Sequence, residues 1–175
     1  MKKLIVIFAA ALMMTSLAAA QTATGTLNVS ATVTGSINLV FNSDANGVAL
    51  TSGAKTSAAA LDFGTVSAFG TLATNVSRPS VTASNFTVST PVDVLVSKTN
   101  SASANYTLTT QLSTADAVNT WAINGTSFTN STSATATAAG TYGSNVPVTL
   151  AITIPFTTAS GTAISNVVNF TATAN

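Results

Sequence analysis

The stretch "VTLAITIPF" places Val148, Leu150, Ile152, Ile154 and Phe156 in one phase of a period-two pattern. Thr149, Ala151, Thr153 and Pro155 fill the other. Successive side chains of a strand point to opposite faces, so this alternation predicts a half-buried β-strand. The same period recurs along the chain. In "STPVDVLVS", Val92, Val94 and Val96 alternate with Asp93, Leu95 and Ser97. "NYTLTTQL" repeats the pattern with Tyr106, Leu108 and Thr110, and "VVNFTATAN" puts Val168, Phe170, Ala172 and Ala174 in phase as a closing strand does. Pro155 cannot donate to a ladder and marks an edge or a strand end. In "WAINGTSF", Asn124-Gly125 lies between apolar residues and predicts a hairpin, because both turn positions need positive φ. Helix signals are nearly absent, and β-branched Thr and Val are abundant. About eight or nine short strands at such spacings predict an all-β chain folded as a β-sandwich. The Ser-, Thr-, Ala- and Gly-rich stretches 43–59 and 129–145 read as long loops or weak edge strands.

The first twenty residues read as an export signal. Lys2 and Lys3 precede an apolar run from Leu4 to Leu17, and Ala18-Ala19-Ala20 supplies the small residues of a cleavage site before Gln21. The run is short and alanine-rich for a membrane anchor, which needs roughly 20 apolar residues. The sequence therefore predicts export, through a periplasm in transit, to the cell surface or medium, with no membrane insertion.

Beyond residue 20, Lys55, Arg78 and Lys98 oppose Asp44, Asp62, Asp93 and Asp116, one negative charge in net. So neutral a chain has no basic patch for nucleic acid and no polybasic membrane site. It also has little charge repulsion against self-association. The absence of Cys excludes disulfides, thiol redox chemistry and thiolate metal sites.

Catalytic signals are equally sparse. Ser and Thr are plentiful, but without His nothing common activates them as nucleophiles. A Ser–Lys pair built on Lys55 or Lys98 lies in polar surroundings, where lysine keeps its normal basicity. Asp62 in "LDFG" and Asp93 in "PVDV" read as outward carboxylates on strands. "NSDANG" at 42–47 imitates the start of a calcium loop, but Gly53 stands where the bidentate acid belongs, so it reads as a polar turn. Trp121, Tyr106 and Tyr142 are the candidate aromatic residues of a sugar platform. No enzyme activity, cofactor or metal is expected.

One stretch remains. In "GTLNVSATV" at 25–33, Leu27, Val29, Ala31 and Val33 share a phase. Fully burying a Val or Leu is worth roughly 1.5–3 kcal/mol, and such a strand left in water invites aggregation. It either folds into its own sandwich or completes a neighbour by strand addition. Head-to-tail addition that does not close makes a filament. Gly35 in "VTGSI" is a flexible joint before the next strand at Ile37–Phe41.

Taken together, "GTLNVSATVTGSINLVF", "LDFGTV" at 61–66, "PVDVLV" and "VTLAITIPF…ASGTAISNVVNFTATAN" resemble the spore coat protein U and archaic chaperone–usher pilin family. The resemblance implies an immunoglobulin-like β-sandwich, incomplete by one strand, over 35–175. Residues 21–34 become an N-terminal donor-strand segment, with Leu27, Val29, Ala31 and Val33 as the plugs. It implies a strand at 61–66 after the first long loop and a closing strand over 162–174. The implied partners are neighbouring copies or homologous subunits, a periplasmic chaperone and an outer-membrane usher. By the same resemblance Ser36 and Ser89 stand where family members carry cysteines, and Gly161-Thr162-Ala163 replaces the usual Gly-x-Tyr. The expected function is a structural subunit of a surface polymer. The alternative is a self-contained secreted adhesin or carbohydrate binder.

Overall fold

The structure, a computed structural model, describes residues 26–175; the expected export signal 1–20 and residues 21–25 lie outside it. The chain divides into two units, residues 1–32 and 33–175. The described part of the first, Thr26–Thr32, carries neither helix nor strand. The second is all-β, with nine strands and no helix among the described residues.

The strands are β1 (Ser36–Asn42), β2 (Ser77–Val81), β3 (Asn85–Thr99), β4 (Asn105–Leu112), β5 (Thr120–Ile123), β6 (Thr126–Phe128), β7 (Ala134–Thr141), β8 (Asn145–Pro155) and β9 (Val168–Ala174). They form two antiparallel sheets. The larger runs β1-β3-β8-β5-β6, with β2 also on β3; the smaller runs β7-β4-β9. The long β3 pairs with β8 along one side. Its other side is shared between β1 at the C-terminal half and β2 at the N-terminal half.

One core lies between the sheets, and the predicted inner phases line it. Val92, Val94 and Val96 of β3, Val148, Leu150, Ile152 and Ile154 of β8, and Tyr106, Leu108 and Leu112 of β4 are buried. Thr110 continues the β4 phase and is buried too. Pro155 ends β8 as expected, and Phe156 just beyond it is partly exposed. Asn124 and Gly125 take φ values of 48° and 82° between β5 and β6, the hairpin geometry their sequence predicts. Gly140 of β7 makes room for the Tyr106 ring, since a Cβ there would lie 2.2 Å from Tyr106 Cζ.

The outer face of the smaller sheet carries the opposite phase. Thr107 and Thr109 of β4 stand beside Thr173 and Thr171 of β9 in register, forming rows of hydroxyls. Stretch 129–145 resolves into the edge strand β7, whereas 43–76 forms no strand. That long connection is sewn to β3 at the buried Thr90. The Thr90 hydroxyl accepts from the Val48 N–H (2.8 Å) and donates to the Asn75 carbonyl (3.0 Å). The Asn75 amide in turn donates to the Gly47 carbonyl (2.9 Å). Arg78 holds the next turn by donating to the Ser67 and Gly70 carbonyls.

Two expectations drawn from the resemblance need correction. Residues 61–66 are not a strand: the Asp62 carboxylate takes the Gly64 N–H (2.8 Å), and Gly64 sits at φ 67°. Asp62 is thus a turn residue and not an outward strand carboxylate. The closing strand begins at Val168, not 162. Gly161 at φ 80° and the Thr162–Ala159 turn break the extension, and the Asn166 side-chain Oδ1 accepts from the Val167 N–H.

Candidate functional site

β1 is an edge of the larger sheet and β9 an edge of the smaller one. Ile37, Leu39 and Phe41 of β1 and Val168, Phe170 and Ala172 of β9 all pack against the core, yet each remains only half-buried. The central strands bury their equivalents fully. The two edges meet where the Phe41 and Phe170 rings pack edge-to-face at 5.1 Å. At the other end of this seam is a shallow cleft of about 170 Å³ lined by Gly35, Ser36, Ile37, Ser101 and Ala174.

Hydrogen-bond parity shows what the edges offer. In an antiparallel pair, alternate residues aim both backbone groups at the partner strand and the others aim them away. Asn175 N–H bonds to the Asn105 carbonyl and Ser113 N–H to the Val167 carbonyl. Odd-numbered β9 residues therefore face β4, and Val168, Phe170, Ala172 and Ala174 present N–H and C=O to the free edge. On β1, the Phe41 N–H and C=O bond to Thr56 and Lys55 of the long connection, away from β3. Ile37 and Leu39 share that parity. On both strands the residues with outward backbone groups are those whose side chains line the seam. At Ile37 and Leu39 of β1 and at the even positions of β9, a strand arriving there finds backbone partners and half-covered apolar pockets at the same positions, whereas the Phe41 groups are already engaged.

The four sequence-predicted plug residues are exposed. Leu27, Val29 and Val33 are 87%, 82% and 73% exposed, Ala31 is exposed as well, and residues 26–35 pair with no strand. Their alternation was visible in the sequence. The seam residues were equally periodic, but nothing local in them says that β1 and β9 end up as edges.

The other candidates resolve individually. The aromatic platform does not exist. Trp121 is 5% exposed and Tyr106 fully buried, and Tyr142 packs on Tyr106 with ring centroids 5.1 Å apart. Burial, then the neighbouring Tyr142, pushes the Tyr106 phenol above its usual range. The Lys98 ammonium donates to the Ser103 carbonyl and lies 4.9 Å over the Tyr142 ring, while the Ser103 hydroxyl itself donates to the Asn105 carbonyl. "NSDANG" is a turn in which the Asp44 carboxylate accepts the Asn46 N–H (2.7 Å). No cluster of three or more His, Cys, Asp or Glu occurs among the described residues.

Two carboxylates have shifted acidities. Burial, then the charge of Asp44, raises Asp93 against the opposing hydrogen bond from the Asn145 amide. At Asp116, burial pushes upward but is outweighed. Hydrogen bonds from the Asn119 backbone, the Trp121 indole, the Asn119 amide and the Val118 backbone hold the carboxyl at about 2.

No family model, curated protein or solved structure matches this chain.

Proposed function

We propose that this chain is an exported, non-enzymatic structural subunit. Copies of it join head to tail by donating residues 26–33 to the β1–β9 seam of the next copy. The reading treats the two-sheet domain as an immunoglobulin-like sandwich short of one strand. A single observation carries it: the chain has an exposed, unpaired apolar segment and a seam whose apolar lining is half-covered and whose backbone groups face outward, those of Phe41 alone being already bonded to Thr56 and Lys55. Each needs what the other supplies. Burying Leu27, Val29 and Val33 is worth roughly 1.5–3 kcal/mol per side chain, and the alternate backbone groups add ladder hydrogen bonds.

The assembly is a surface pilus or coat-like polymer. An open apolar seam is an aggregation hazard before assembly. A periplasmic chaperone that covers it, and an outer-membrane usher that exchanges the cover for the next subunit, are the partners this reading requires. Deletion of residues 22–33 is the test. The truncated protein is expected to remain monomeric by size-exclusion chromatography and electron microscopy while the full chain forms filaments. Filaments from the truncated protein overturn the reading.

A further inference from the structure

Among the described residues, Phe41 is the β1 position whose outward backbone groups are taken. Its N–H donates to the Thr56 carbonyl (2.9 Å), and its carbonyl accepts from the Lys55 N–H (2.7 Å). The two segments meet there as an isolated antiparallel bridge. The partner is a strap, residues 51–60, within the long connection. The strap closes on itself. Thr51 N–H donates to the Ala60 carbonyl (2.8 Å), and Ala60 N–H to the Ser52 carbonyl (2.9 Å). At its tip the Thr56 hydroxyl lies 2.6 and 2.8 Å from the Gly53 and Ala58 carbonyl oxygens. Gly53 permits the closure, since a Cβ there would lie 1.9 Å from the Ala58 oxygen.

Little else holds the strap to the sheet. Leu50 before it and Leu61 after it pack on the core, but no apolar side chain from 51 to 60 does. Apart from Gly53 and Ala59, the strap is exposed. Its bonds to Phe41 use the same two backbone groups that an added strand uses. We propose that the strap is an autoinhibitory stand-in, holding the Phe41 position until residues 26–33 of a second copy displace it. The inference rests on the strand-donation reading and adds a gate to it. Before assembly the strap blunts part of an open edge. During assembly the Phe41 bonds are exchanged one for one, so burial of Leu27, Val29 and Val33 drives the displacement.

The experiment titrates a fluorescein-labelled peptide of residues 22–33 into protein lacking that segment, followed by anisotropy. The core and its half-buried rim begin at Ile37, so the truncated protein keeps them whole. Lys55→Pro frees the edge, because proline has no N–H and cannot take the φ of 65° that Lys55 holds. The peptide has no charged side chain, so losing the lysine charge does not itself alter the attraction. Lys55→Pro should bind the peptide about tenfold more tightly, the worth of the two bonds no longer broken. With Lys55 in place, amide exchange resolved by NMR should show Ile37 and Leu39 slowing on binding and Lys55 speeding up. Phe41 should stay slow throughout. Peptide that binds neither protein removes strand donation and the gate together. Equal or weaker binding by a folded Lys55→Pro protein overturns the gate alone, as does a Lys55 amide that stays protected in the complex. Should the variant fail to fold, the Lys55 amide decides.

Discussion

Single side chains hold this fold at places where charge or hydroxyl chemistry does what packing cannot. Thr90 is the clearest case. It is almost wholly buried, and its one hydroxyl satisfies both Val48 N–H and the Asn75 carbonyl. Thr90→Val keeps the shape but leaves both groups unmatched, at about 1–3 kcal/mol. We expect a lower urea midpoint and faster proteolysis within 43–76, read by mass spectrometry. Asp93 and Asp116 give stability opposite pH dependences. Asp93 binds its proton more tightly folded than unfolded, so stability rises as pH falls through its raised folded value towards 3.8. Asp116 is depressed from 3.8 to about 2, so its contribution is complete above 3.8 and is lost as pH falls to about 2. Melting temperature measured against pH should therefore be higher in acidic buffer than at neutral pH and fall again as Asp116 is protonated towards pH 2. Asp93→Asn, which can still accept from Asn145, should raise the melting temperature at pH 7 and remove the acid-side gain. A flat profile in the unaltered protein refutes this assignment.

At the scale of strands, backbone parity on β9 separates two roles that lie one residue apart. Ala172 N–H points to the free edge, whereas Thr171 N–H points to Thr109 on β4. Ala172→Pro should leave the internal ladder intact and the fold close to its original stability, yet block polymerisation. Thr171→Pro should remove a ladder bond and unfold the smaller sheet at lower temperature. Filaments from a folded Ala172→Pro protein would exclude the β9 edge as the acceptor. Inner faces were legible from sequence because alternation is a local property, as Val92, Val94 and Val96 show. The Asn124-Gly125 hairpin was legible for the same reason. Pairing was not, since β3 chooses β1 and β8 across long separations. β2 itself escaped notice because "SRPSV" contains Pro79, and its pairing with β3 is irregular between Ser77 and Ser80. The expected strand at 61–66 failed to a turn at Asp62 and Gly64 that the apolar pattern conceals. For the candidate site, the plug segment was readable and the seam was not, because edge status belongs to the finished topology.

For the molecule as a whole, the proposed incompleteness has a thermodynamic signature. A synthetic peptide of residues 22–33, added to protein lacking that segment, should bind the native state and not the unfolded chain. At 100 times its dissociation constant it should add about 2.7 kcal/mol of stability, visible as a rising melting temperature. A peptide with Leu27 and Val29 changed to Asp should give no shift. Failure of the unaltered peptide to stabilise the truncated protein would mean that the seam is closed. The hydroxyl rows Thr107–Thr173 and Thr109–Thr171 carry a different consequence. A surface wetted by uncharged groups has scarcely any ion cloud to compress. Its hydration should pass almost unaltered from dilute water to brine, where a carpet of lysines and glutamates would lose its mutual repulsion.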